Sequence, residues 1–137
     1  MLSKLLSMRN KKGFTLIEII IVLIILAVIA AIAIPSMIGF INQARDSQLI
    51  ADARSALLAG QVVATKMVGQ GITPSAAATG TGSIVSHPEF WPMLTPDGIT
   101  EGVVFAGIEG GRVTQVTYTK GGRSVTINTL TGNTTVN

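Results

Sequence analysis

Between Phe14 and Ile34 the only polar side chains are Thr15 and Glu18, and from Ile19 to Ile34 there are none. A helix over this stretch would span about 30 Å, the thickness of a bilayer's hydrocarbon core. Beyond Ser36 the pattern changes. Ile38, Ile41, Leu49, Ala53, Ala56, Leu57, Val63, Ala64 and Met67 recur near helical spacing, with Arg45, Asp46, Asp52, Arg54 and Gln61 as the wet side. This predicts an amphipathic helix over 36–69, stopped at Gly69–Gln70–Gly71. Between the two patterns stands Pro35, which removes one intrahelical hydrogen bond. It either ends the apolar span or bends a helix that continues, and the helical pattern beyond it favours continuation.

Residues 70–100 carry Pro74, Pro88, Pro92 and Pro96 with several glycines, a composition that predicts a long loop. Within it PSAAATGTGS reads as exposed and mobile, and Phe90 and Trp91 as anchors onto the domain. From 101 to 137, four β-prone segments (GVVFAGI, RVTQVTYT, SVTINTL and TTV) are separated by EGG, KGG and TGN. The expected fold is α+β. Its long amino-terminal helix has a protruding apolar half and an amphipathic half packed on an antiparallel sheet of three to four strands. The division expected along the chain is a leader over 1–13, an apolar helix over 14–35 and a headpiece over 36–137.

Charge alters this picture only at the start. The net charge is +3, but Lys4, Arg9, Lys11 and Lys12 lie in the first thirteen residues, and the remainder holds six bases against seven acids. The basicity belongs to the leader, which argues against nucleic acid as the main partner. Basic residues before an apolar run hold that side of a membrane in the cytoplasm. An ordinary secretory signal would place a small-residue cleavage site after its apolar region, whereas Ala27–Ala33 lies inside an unbroken run. Arg112, Lys120 and Arg123 read either as a basic patch near the hairpin ends or, better, as a scattered solvated edge. With no cysteine, the headpiece is expected to hold together by packing and strand pairing alone.

Glu18 is the residue that carries most meaning. A carboxylate in an apolar run is costly, about 2.5–3.5 kcal/mol near a bilayer centre. It can be tolerated by reaching toward head groups, or it can have a partner. No Lys, Arg or His occurs between Gly13 and Arg45. Cleavage after Gly13 would give Phe14 a free amine four residues from Glu18, on one helix face.

The stretch KKGFTLIEIIIVLIILAVIAAIAIP resembles the amino-terminal signature of type IV pilins and pseudopilins. The shared marks are a basic leader ending in Gly13, a cleavage point before Phe14, Glu as fifth residue of the mature chain, and a proline closing the apolar run. The resemblance implies that a prepilin peptidase removes residues 1–13 and methylates the Phe14 amine. It implies that the precursor sits in the cytoplasmic (inner) membrane as a single-pass protein, in contact with lipid, until assembly machinery extracts it into an extracellular homopolymer. Glu18 would attract the amine of an adjacent subunit, and Pro35 would kink the helix. The cysteine-free, Thr/Gly-rich tail is more similar to pilins of Gram-positive bacteria. It lacks the disulfide of many Gram-negative pilins, and with no carboxylate side chain after Glu109 it lacks the usual acids of a pseudopilin calcium site.

No catalytic, cofactor-binding or metal site is expected. There is no cysteine nucleophile, no phosphate loop and only one histidine, His87. The expected function is that of a structural subunit of a type IV pilus, assembled through its apolar helix after cleavage by a prepilin peptidase. The alternatives are a pseudopilin of a type II secretion or DNA-uptake apparatus, and a single-pass membrane-tethered binding domain.

Overall fold

A computed structural model describes residues 13–137. The leader expected over 1–13 lies outside the described residues except for Gly13. Helix α1 runs Leu16–Gly69 and passes through Pro35. It is followed by the short helix α2, Phe90–Leu94, and a 3-10 turn, Thr95–Asp97. Four strands complete the chain: β1 Val103–Glu109, β2 Arg112–Lys120, β3 Arg123–Asn128 and β4 Thr134–Val136. The chain divides into two compact units, Met1–Ile41 and Asn42–Asn137.

The second unit is a helix laid on a meander. Its strands pair antiparallel in the order β1-β2-β3-β4. Two of the connections are two-residue turns, Gly110–Gly111 and Gly121–Gly122, with φ between 57° and 80°. Turns of that hand match the twist of the flanking strands and need positive φ at both positions, which is why EGG and KGG are where the chain reverses. The register aligns Phe105, Val116 and Ile127 in one row and Val103, Tyr118, Val125 and Val136 in the next. Alternation then sends these rows to one face of the sheet.

That face meets the stripe Leu49, Ala53, Ala56, Ala59, Val63, Ala64 and Met67 of α1, all buried. The stripe is mostly alanine, so backbone and sheet approach closely, and Gly60 sits directly over the Phe105 ring. The loop supplies a third side of the core through Ile84, Phe90, Leu94 and Ile99. Phe90 packs edge-on against both Trp91 and Phe105, with ring centroids 5.0 and 5.6 Å apart, so the expected anchor is a core residue. Ser83 and Ser86 hydroxyls donate to the Ala77 and Ala78 carbonyls, closing a tight loop that leaves 77–81 at the surface. Glu89 pairs with Lys66, whose hydrogen bond holds the Glu89 carboxyl below its ordinary pKa.

Three residues assigned by pattern to the wet side of α1 are occupied differently. Gln61 is half-buried. Its Oε1 accepts the Val113 amide at 2.9 Å and its Nε2 donates to the Gly111 carbonyl at 3.2 Å, so one amide clasps the β1–β2 turn. Asp52 is buried, with Oδ2 3.6 Å from Lys120 Nζ, and Asp46 Oδ1 lies 2.7 Å from Arg123 Nη1. Both oxygens are sealed from solvent without a well-aligned hydrogen bond, so the cation is what neutralises each. Lys120 and Arg123 are therefore not scattered edge charges. They bracket the β2–β3 turn and fix it to α1.

The clasp is open to test. Gln61→Ala unpairs two backbone groups, the Gly111 carbonyl of the turn and the Val113 amide of β2, and is expected to destabilise the headpiece by about 1–3 kcal/mol. The check is the midpoint of chemical unfolding followed at Trp91. An unchanged midpoint would mean that water serves those backbone groups equally well.

Candidate functional site

Every residue from Gly13 to Ile41 is exposed. Nineteen large apolar side chains in this range are between 41% and 77% accessible, from Ile20 to Leu16. Covering one such side chain is worth about 1.5–3 kcal/mol, so leaving them all in water would cost tens of kcal/mol. A whole domain is stable by only about 5–15 kcal/mol. This surface is therefore built to be covered by lipid or by other chains, and the helix is long and apolar enough to cross a membrane.

At its start the helix is organised by Thr15. The Thr15 carbonyl accepts the Glu18 and Ile19 amides at 3.1 and 3.3 Å, and the Thr15 hydroxyl accepts the Glu18 amide at 3.3 Å. Thr15 thus satisfies donors that a helix end would otherwise leave orphaned. The spacing Thr-x-x-Glu is that of a capping box, a local signal that the pattern of apolar residues does not reveal. It also places the Glu18 carboxylate in the first turn, where the helix dipole favours negative charge. The cost of an acid in apolar surroundings is thereby reduced at this position and would not be reduced mid-helix.

Gly13, Phe14, Thr15 and Glu18 line one open depression. The structure thus brings together three of the four residues singled out in the sequence. Pro35 is not among them; it lies seventeen positions beyond Glu18. There the helix continues although Pro35 offers no amide to the Ala31 carbonyl, and the Ser36 hydroxyl donates to the Ala33 carbonyl at 2.9 Å.

Among the described residues no cluster of three or more His, Cys, Asp or Glu side chains is placed to hold a metal. His87 is half-buried, and its Nδ1 accepts the Glu89 amide at 3.3 Å, a turn contact rather than a reactive arrangement.

An exposed apolar helix with an acid in its first turn, followed by a helix-on-sheet headpiece, defines an α+β protein with an uncovered apolar amino-terminal segment. Residues 8–34 match the prokaryotic N-terminal methylation motif, so the chain carries a type IV prepilin-like signal. The match covers about a fifth of the chain. That motif supports a pilin-like or pseudopilin protein, is typical of structural proteins, implies processing by a prepilin peptidase, and is consistent with a membrane-anchored precursor. Comparison with curated proteins and with solved structures finds no match to the chain.

Proposed function

We propose that this chain is a structural subunit of a type IV pilus, cleaved before Phe14 and assembled through its apolar helix. The observation that carries the reading is the conjunction at the helix start. A methylation motif matches residues 8–34, and within it Glu18 stands in the first turn of a helix that is uncovered up to Ile41 and, Glu18 and Ser36 apart, apolar. Before assembly that surface is covered by lipid. In the filament it is covered by the same helix of neighbouring copies, in a medium where the only side-chain charge before Arg45 is Glu18. An amine created at Phe14 is the cation that such an acid requires, and contact between the Glu18 of one copy and the amine of the next would set the axial step of the polymer. A pseudopilin would use the same chemistry in a shorter filament.

The experiment is the intact mass and amino-terminal residue of the protein in sheared cell-surface material. A chain beginning at methylated Phe14, recovered in that fraction, is the expected result. An intact Met1 leader confined to the membrane fraction would instead make this a tethered single-pass protein, and the proposed role of Glu18 would fall.

A further inference from the structure

At the beginning of the second unit, one face of α1 and the β2–β3 turn enclose a cleft of about 280 Å³ lined by Arg45, Gln48, Asp52, Lys120, Gly121 and Arg123. Arg45, Gln48 and Asp52 stand three and four residues apart, hence on one helix face. Three cations and two carboxylates meet here, Asp46 being the partner of Arg123. The net charge is about +1, but its distribution matters more than its sum. The Asp52 side chain is 10% accessible while that of Lys120 is 51% accessible, so in this pair the negative charge lies beneath the positive one, whereas Arg123 and Asp46 are comparably exposed. Each carboxylate holds its cation in place without using all its donors. A guanidinium has five N–H groups and an ammonium three. Arg45 has no carboxylate within ion-pair distance among the described residues. Exposed, unspent donors gathered in one cleft suit an oxyanion, and the planar fork of arginine suits a phosphate.

We infer that this cleft binds the phosphate of a membrane phospholipid while the precursor is held in the bilayer. The choice of a lipid follows from chain length. Arg45 comes four residues after Ile41, the last residue of the uncovered apolar segment. Four residues reach at most about 14 Å even when fully extended. The head-group layer begins where the hydrocarbon ends and is about 5–7 Å deep on each side. The segment Phe14–Ile41 is 28 residues, about 42 Å as a helix, which a tilt of about 40° fits into the roughly 30 Å hydrocarbon core; with it so placed in lipid, Ile41 lies at the edge of the core and Arg45 is within reach of phosphate. The inference rests on the membrane-held stage of the proposed function, and on no later stage.

The test uses the full chain, labelled with nitrogen-15, in dodecyl maltoside micelles, which contain no phosphate. Dihexanoyl phosphatidylglycerol is titrated in, and the Gly121 and Gly122 amides and the arginine Nε–H groups are followed by NMR. A saturable shift confined to these signals is expected, with apparent affinity about 5-fold weaker in Arg45→Ala. Arg45→Glu should abolish it, and Arg112→Ala, at the other hairpin end, should leave it unchanged. Retention of signal dispersion in Arg45→Ala shows that binding, not folding, was lost. Non-saturable shifts, or equal affinity in Arg45→Glu, would overturn the site. Inorganic phosphate binding as tightly as the lipid would overturn the lipid as its ligand. Shifts that depend on protein concentration without lipid would assign the cleft to a second copy. The assay reads an unassembled chain in a micelle, so its failure leaves the pilus reading intact, and a chain that never polymerises could still pass it.

Discussion

Replacing Glu18 by Val is expected to leave the precursor inserted and processed, with no filaments in the sheared fraction. The expectation is unusual for a substitution that removes a charge from an apolar surface. Taken alone, the change should help: an acid in a span costs up to about 2.5–3.5 kcal/mol, less near the end, and valine costs nothing. The cap survives as well, because the Thr15 hydroxyl and carbonyl bond to the Glu18 backbone amide, which Val retains. Insertion is therefore improved and the backbone cap kept, at the loss of a dipole contribution of only about 0.3–1 kcal/mol, and a defect that appears only on assembly isolates the carboxylate itself. Glu18→Gln keeps the shape and removes the charge, and is expected to fail similarly. Quantifying sheared filaments against membrane-bound processed chain makes the measurement. Filaments at the level of the unmodified protein in Glu18→Val would end the proposed mechanism.

The second large effect is a change of sign at Gly60. A Cβ added there would lie 2.4 and 2.5 Å from the Phe105 ring, which is itself held edge-on by Phe90. Alanine gains about 1 kcal/mol over glycine in a helix interior, but overpacking a rigid core costs about 1–3 kcal/mol. The clash should win, so Gly60→Ala is expected to destabilise the headpiece. Phe105→Ala removes a buried ring and is expected to cost more, about 3–5 kcal/mol. In that background the same Gly60→Ala fills space and improves the helix, and should stabilise by about 1 kcal/mol. Unfolding midpoints of the two single variants and the double variant complete the cycle. If Gly60→Ala is neutral in the unmodified protein, the ring has room to shift and the contact between helix and sheet is looser than described.

The architecture was largely legible in the sequence because each element announces itself by a different period. The unbroken apolar run, the helical stripe to Met67 and the alternating β segments between double glycines all appear as α1 and β1 to β4. Less legible was the polar side of α1. Asp46, Asp52 and Gln61 look like solvated helix positions, and only the return of the sheet shows what faces them: Arg123, Lys120 and the β1–β2 turn. Periodicity reports the side chain and not the partner, and these partners stand 50 to 77 residues away in the chain. The Thr15–Glu18 spacing was readable as a cap but was overshadowed by the cost of the acid.

The distance in sequence between Gln61 and Val113, 52 residues, also has a meaning in time. A ribosome adds about 5–20 residues per second, so the amphipathic half of α1 is made roughly 3–10 s before the strands that cover it. During that interval Ala53, Ala56, Val63 and Met67 have no sheet to pack on, while the apolar helix ahead of them is already complete. Synthesis thus delivers the apolar segment complete while the headpiece is still unfinished. In those seconds the apolar stripe within residues 42–69 is uncovered in every copy made.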